Sequence, residues 1–541
     1  MKRTVSIFIE AHPWLRDHLR VVFGMCMIGI ALLVTVAVYR SAWVSDDSFI
    51  TLRYVNNTIN GYGAVFNAGE YVQGYTHPLW YLLLLPGSYI FHNEILTAIF
   101  LGLSLTLFSL LLFGYILWKH ASHPIHALLV FGLACAVFMS SDVWISFQTG
   151  GLENSLSHLL ILLIVSEAYY HKAERPALLL LWLSLLCLSR PDYAIFVLPF
   201  GILILPELRS MRTLGLSLLA VLPLFFWSLF AWLYYGSPLP NTGTAKLDLY
   251  PNILVSAKLG LLYLGDWFTN DLLASGITLA VLIYCAGRSR GNWIIRVISI
   301  AMLAYIFWII FIGGDFMRGR FFIGVFTASI FFGSFEILRK LGEGPCQLRV
   351  VHLLFAILIL AGAFMISMGN ASGTDTQFNG FVSNERQFYP GYSLRSFLRG
   401  GHVTSPYTDL LFADDLRAYT EICGPVTIHD RNPGTLGYLA GPKVTIIDTL
   451  GLTDRYIASL PKEYLLNPIP RPGHPDKYIP VRYLAARGDI ALLPGWVTSV
   501  KQRDCSLSAR VEGLAESNQY WSLHGIEDAE LPGLGSEKND Q

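Results

Sequence analysis

Asp46 and Asp47 stand side by side in WVSDDSFITLRYVNN, directly after an uncharged apolar run. Two like charges at the end of such a run are costly unless they face a polar cavity or find partners. Other polar residues collect at comparable places. They are Arg53 and Tyr54; Gln73 and His77 in VQGYTHPLW; Glu153 in TGGLEN; Arg190 and Asp192 in SRPD; Asn241 and Lys246 in PNTGTAK; and Asp315, Arg318 and Arg320 in GGDFMRGRF. An acid pair with several cations suits transfer of a sugar out of a lipid-linked phosphosugar. Arg190, Lys246, Arg318 and Arg320 would bind and neutralise the phosphate as the sugar–oxygen bond breaks. One carboxylate would take the proton of the incoming hydroxyl. The other would orient the acceptor, stabilise an oxocarbenium ion, or help to hold a divalent cation (Mg, Mn or Ca). Arg53, Tyr54, Gln73, His77, Glu153, Asp192, Asn241 and Asp315 would contact the substrates.

Each residue also has a plainer reading. The two aspartates suit the first turn of a helix, one of them as its N-cap. Arg190 before Pro191 could simply end a span, Lys246 could snorkel, and Arg318 and Arg320 could balance Asp315. Neighbouring residues do not share a helix face, so Asp46 and Asp47 are expected to have different roles.

The elements that must position these groups are membrane helices. Of 541 residues, 53% are hydrophobic and 14% charged, against roughly 25% charged in a soluble domain. The net charge is zero, so no basic field for nucleic acid exists. There is no P-loop and no G-x-G-x-x-G between strand and helix, which fits a phosphate leaving group rather than a cytoplasmic nucleotide donor. Lys2, Arg3, Arg16 and Arg20 precede the run from Val21 to Tyr39. That run is long for a cleaved signal peptide, so the N-terminus is expected inside and Asp46 outside.

Downstream, Pro78–Phe91 is read as a helix lying on the outer surface. Spans follow at about 94–117, 125–140 and 153–170, then a short one before Ser189, then at about 193–206, 214–235, 270–287, 294–312, 320–338 and 350–367. This gives about eleven spans with most loop Lys and Arg on the cytoplasmic side. The polar set then falls on the outer side.

After Met368 long apolar runs stop. GPVTIHD and KVTIIDTLG read as strands and SPYTDLLFADDLRAYTEI as a helix, so residues 368–541 are expected to form a soluble α/β domain beyond a membrane domain of residues 1–367 with an outer loop at 40–93. Cys423 and Cys505 are its only cysteines, and either pair or remain two thiols. No Cys/His set has zinc spacing.

The unit DDSFITLRYVNNTINGYGAVFNAGEYVQGYTHPLW, together with the span before it, resembles the GT-C class of integral-membrane glycosyltransferases. Within that class it is most similar to the mycobacterial terminal β-(1→2)-arabinofuranosyltransferase family and its proteobacterial relatives. Gly61–Trp80 matches that family's GxGxVFNxGExVxGYTxPLW-like run. TGGLEN, SRPD, YYGSPLPNT, GGDFMRGRF, IIDTLGLTDRYIA and RPGH follow in order.

The resemblance implies a mostly α, GT-C-like polytopic enzyme of the bacterial inner membrane, with its active site and C-terminal domain in the periplasm. Its donor would be a polyprenyl-phosphate sugar such as arabinofuranose, and its catalytic pair Asp46 with Asp47. The acceptor would be an envelope glycan or lipopolysaccharide. Gln73 stands where relatives often carry Glu, and His77 where Ser is common. Asp448, Asp454 and His474 look patterned, for acceptor binding or for packing. The alternatives are another lipid-linked-sugar transferase, of mannosyl or oligosaccharyl type, and a lipid or sugar transporter. A transporter would carry polar groups about a midplane site, in inverted repeats, whereas this polar set is one-sided.

Overall fold

An apolar segment in lipid satisfies its backbone polar groups internally only as a helix, and the chain is accordingly dominated by helices. The structure is a computed structural model that describes residues 13–172, 174–246, 249–288, 292–343, 381–399, 410–507 and 509–511. Helices cover the expected spans as far as residue 338: Pro13–Arg40, Glu94–His120, Pro124–Ser140, Asn154–His171, Pro176–Ser189, Ala194–Ile204, Met211–Tyr235, Leu272–Arg288, Trp293–Phe311 and Ile323–Glu343. The expected span at 350–367 and the domain boundary after residue 367 lie outside the described residues.

Local chemistry sets the helix starts. Pro78, Pro124 and Pro176 occupy first-turn positions, where no N–H is needed. Asn93, Asn252 and Asn292 accept backbone N–H groups as N-caps.

Length separates these helices. Among the described residues, Val21–Arg40, Glu94–His120, Met211–Tyr235 and Trp293–Phe311 are long and apolar enough to cross a membrane. Ile253–Asn270 and Leu272–Arg288 add a fifth if taken as one span bent by 112°. Pro78–Phe91, Pro124–Ser140 and Pro176–Ser189 are apolar but shorter. Helix Ile253–Asn270 lies between the expected spans at 214–235 and 270–287 and belongs to neither. Its buried residues Ser256, Leu259, Gly260, Tyr263 and Trp267 follow helical spacing, and Lys258 and Asp266 break the continuous apolar signal of a span.

Pro176–Ser189 packs on Met211–Tyr235, Ala194–Ile204 on Trp293–Phe311, and Asn154–His171 on Ile323–Glu343. The connections at one end of this bundle carry the polar motifs.

Strands β1 (Val426–Asp430) and β2 (Val444–Asp448) pair in parallel, with Val426 opposite Val444 and Asp430 opposite Asp448. They coincide with the two expected strand segments. Helix Pro433–Ala440 connects them, and Leu410–Cys423 packs on that helix. One buried apolar cluster runs from Trp43 and Phe49 through Phe138 and Phe326 to Leu416 and Ile428. The C-terminal segment therefore shares its core with the helix bundle. Cys423 and Cys505 form a disulfide.

Candidate active site

Asp46 and Asp47 begin helix Asp46–Ile59, whose N-cap is Ser45. In this first turn carboxylates favour the helix dipole. The helix then sends the two side chains different ways. Asp46 is held through Oδ1 by the Thr435 hydroxyl and by the Thr435 N–H at 3.3 Å. Asp47 approaches Arg320, with Oδ2 4.0 Å from Nη1. The Asp46 contact needs glycine at 434, because a Cβ there would run into the Asp46 carbonyl oxygen. Tyr392 donates to Thr435 Oγ1 at 2.9 Å and so orients that hydroxyl.

A cavity enclosing about 1390 Å³ of empty space, open mouth included, lies beside Asp47. Seven of the expected residues line it: Asp47, His77, Arg190, Asp192, Lys246, Asp315 and Arg320. Glu153 lies directly behind them and is fully buried. Its Oε1 is 3.4 Å from both Arg190 Nη1 and Arg320 Nη2, and its Oε2 is 3.0 Å from His77 Nδ1. Arg320, His77 and Arg190 together offset the cost of burying this carboxylate. His77 Nε2 meets Thr51 Oγ1 at 2.7 Å.

Arg190 is bidentate to Asp192, at 2.8 and 2.7 Å, and lies over the Phe321 ring at 4.3 Å. Tyr305 donates to Asp192 Oδ2 at 2.8 Å. Asp315 accepts its neighbour's N–H through Oδ1, while the buried Oδ2 has no partner among the described residues. Burial raises the Asp315 carboxyl, against the pull of Arg320 and Lys246. Leu239, Pro240, Leu249, Tyr250, Trp308 and Ile312 add apolar lining to the same cavity.

The remaining expected residues stand elsewhere. Arg53 is a buried clamp, donating to Phe66 O at 2.7 Å and to Val444 O on β2 at 2.6 Å. Tyr54 donates to Val72 O and accepts from Gly74 N. Gln73 accepts the Asn241 N–H with its backbone oxygen, and Asn241 Nδ2 donates to Gly451 O at 2.8 Å. Arg318 pairs with Asp266 at 3.3 Å. These five hold loops against one another and do not line the large cavity.

A smaller cavity of about 500 Å³, open mouth included, adjoins the first. Asp46 lines it, with Glu385, Arg431, Arg471 and His474 from the C-terminal segment. Asp47, Ile50 and Leu452 line both cavities. Of the three patterned C-terminal residues, Asp448 accepts from Leu450 N and Thr453 N, and Asp454 caps a helix and accepts from Tyr483. Only His474 reaches a cavity. Thr51 was missed, although it lies one turn from Asp47 on the same helix face. Glu385 and Arg431 carried no local signal, and Arg471 opens the RPGH motif without having been singled out.

Among the described residues, no group of three or more His, Cys, Asp or Glu side chains is arranged to hold a metal ion. Asp46 and Asp47 diverge, and Asp46 Oδ1 is taken by Thr435. The residues present do not fit the divalent cation, and no step is routed through one.

No family model matches the chain. A terminal β-(1→2)-arabinofuranosyltransferase of Corynebacterium glutamicum is 25% identical over 460 residues, covering 74% of this chain and 63% of that protein. Another, from Mycobacterium tuberculosis, is 26% identical over 360 residues, covering 56% of this chain and 53% of that protein. The chain is a relative of these arabinofuranosyltransferases. It spans between about half and two thirds of the relatives' own length. The motifs that carry the resemblance supply all but Lys246 of the expected residues that converge on the large cavity.

Proposed function

We propose that the chain is a membrane glycosyltransferase that moves a sugar, a pentose such as arabinofuranose, from a polyprenyl-phosphate donor to a cell-envelope glycan. One observation carries this reading. Arg190, Lys246 and Arg320 converge with Asp47 on a single cavity that Leu239, Leu249, Trp308 and Ile312 also line. Cations suit the phosphate and the apolar lining suits the lipid. The arabinofuranosyl group in the relatives' name supplies the choice of pentose.

Asp47 takes the proton of the acceptor hydroxyl. The hydroxyl oxygen bonds to the anomeric carbon, and the sugar–phosphate C–O bond breaks with its electron pair leaving on the phosphate. The three cations stabilise that charge. Glu153 fixes Arg190 and Arg320 from behind. Asp315, with an unpartnered Oδ2, is placed to meet a sugar hydroxyl. Asp46 positions the C-terminal segment.

The periplasmic side of a bacterial inner membrane is supported by the loop charges and by a disulfide in the C-terminal segment. Residues 1–367 are the membrane catalytic part and residues 368–541 the periplasmic part. The test is transfer of labelled sugar from polyprenyl-phosphate arabinose to crude envelope glycan, with wild type, Asp47→Asn and Arg190→Gln at matched membrane expression. Wild-type transfer lost in both variants supports the reading. Activity unchanged in both overturns the mechanism. Transfer only from another lipid-linked sugar overturns the choice of pentose.

A further inference from the structure

Leu466 and Ile469 are 66% and 40% exposed, on a loop of the C-terminal segment that carries no charge from Leu465 to Pro470. Neither joins a buried apolar cluster. Leu465, beside them, packs on Leu249, Tyr250 and Leu259. This places the loop against the start of helix Ile253–Asn270, where Ile253 and Leu254 are also exposed.

Two contacts fix the level of this apolar patch. The Ser256 hydroxyl donates to the carbonyl of Phe311, the last residue of helix Trp293–Phe311. That helix is long and apolar enough to cross a membrane. Gly260 lets the two helices touch, because a Cβ there would run into the Ile310 carbonyl. Ile253 and Leu254 lie within one turn of Ser256, so they stand at the end of a span. Phe307 and Phe311 are exposed on that span. The apolar surface therefore runs from the span, through the helix start, to the loop. The tip is also ordered. Leu465 bridges Lys477 in the antiparallel sense, and the Leu466 N–H donates to Asp476 O at 2.9 Å. Lys477 Nζ donates to the carbonyls of Ile457, Ala458 and Leu460 and fixes the base of the loop. Asn467 Oδ1 accepts the Ile469 N–H at 3.1 Å in a local turn, with Pro468 and Pro470 stiffening the chain.

We propose that the loop tip, through Leu466 and Ile469, seats in the lipid leaflet at the Asp47 end of the bundle, beside Ile253 and Leu254, and fastens the C-terminal segment to the membrane surface. Continuity with the exposed face of a span selects lipid as the occupant. Tyr464 and the exposed Tyr478 flank the loop, and tyrosine rings suit the headgroup layer. The same loop reaches Gly473, which lines the large cavity next to Lys246, so a seat in lipid also steadies that part of the cavity wall. This membrane contact is separate from the transfer reaction and holds whichever sugar is moved.

The experiment uses full-length protein in nanodiscs of phosphatidylethanolamine and phosphatidylglycerol, with either native or brominated acyl chains. An environment-sensitive fluorescent residue replaces Pro468 at the tip, Leu254 as a membrane reference, or Ile422, exposed on helix Leu410–Cys423, as a water reference. The Pro468 label is read in the wild-type background and in Leu466→Asp/Ile469→Asp, each protein keeping its thermal midpoint in detergent. Emission at Pro468 is expected to shift to the blue and to lose most of its intensity in brominated discs. Both effects are expected to vanish with the two aspartates, and Ile422 is expected to show neither.

Emission at Pro468 that matches Ile422, with quenching at Leu254 alone, places the bilayer below the loop and overturns the proposal. Quenching that survives the two aspartates overturns it as well, since Leu466 and Ile469 would then not be what seeks the lipid. A blue shift at Pro468 without bromine quenching means that protein, such as a second copy of the chain, covers the tip, and this too overturns it.

Discussion

The carboxylate of Asp47 lies 4.0 Å from the guanidinium of Arg320, and both line the same cavity. Asp46, its neighbour in sequence, turns to Thr435 instead. The pair is thus divided between the large cavity and the C-terminal segment, and under the proposed mechanism the two positions are expected to respond differently to the same substitution. Asp47→Asn removes the base and lowers transfer by about 10²–10⁴-fold. Asp46→Asn keeps an acceptor for Thr435 and lowers transfer far less. Rates measured side by side on membranes with equal protein decide this. A larger loss at Asp46 would exchange the two roles.

Glu153 neutralises two guanidiniums from a fully buried position. Glu153→Gln leaves Arg190 and Arg320 facing each other without their shared counter-charge, a change that costs about 3–5 kcal/mol when a buried pair is broken. The thermal midpoint in detergent is expected to fall, and transfer with it. A midpoint equal to wild type would mean that the carboxylate is not what holds the cations.

Acid stabilises the docking of the C-terminal segment between about pH 6.5 and 8. Burial, against the Thr435 hydrogen bond, raises Asp46 from 3.8 to about 7, and burial also raises Asp448 to about 7 and Glu385 to about 8. For each, the folded state binds more protons than the unfolded one above the unfolded value. The stability they contribute is therefore lost as pH rises through the folded value. His474, lowered to about 3 from 6.5, opposes them only below 6.5. The thermal midpoint is expected to fall from pH 6.5 to 8, with a smaller slope in Asp46→Asn. A flat wild-type profile would contradict the burial of these carboxyls.

The disulfide between Cys423 and Cys505 closes a sequence separation of 82 residues. Loop-closure entropy for that length corresponds to about 4–5 kcal/mol. The double variant Cys423→Ser/Cys505→Ser is expected to lower the thermal midpoint of envelope-purified protein, and maleimide-PEG is expected to add to this pair only after reduction. Modification without reductant would show two free thiols.

The polar motifs were legible because a charge at the end of an apolar helix stands out against its surroundings. Arg190, Asp192, Lys246, Asp315 and Arg320 all reach the cavity. The same signal also picked Arg53 and Asn241, which hold backbone carbonyls. A buried cation that clamps a loop and one that awaits a phosphate look alike in sequence. Glu385 and Arg431 were illegible because only the approach of the C-terminal segment to helix Asp46–Ile59 gives them a shared cavity, whereas Arg471 stands in the RPGH motif. The bent helix pair was half missed, since polar residues in Ile253–Asn270 mask its buried stripe.

Asp46 and Thr435 are 389 residues apart. During synthesis the aspartate pair therefore emerges well before its fastening partner. Until the helix beginning at Pro433 is made, the Asp46 carboxylate lacks the Thr435 hydroxyl and N–H that hold it. A chain cut short before Pro433 would present a half-built wall beside Asp47, and the order of synthesis delays the site until that helix has docked.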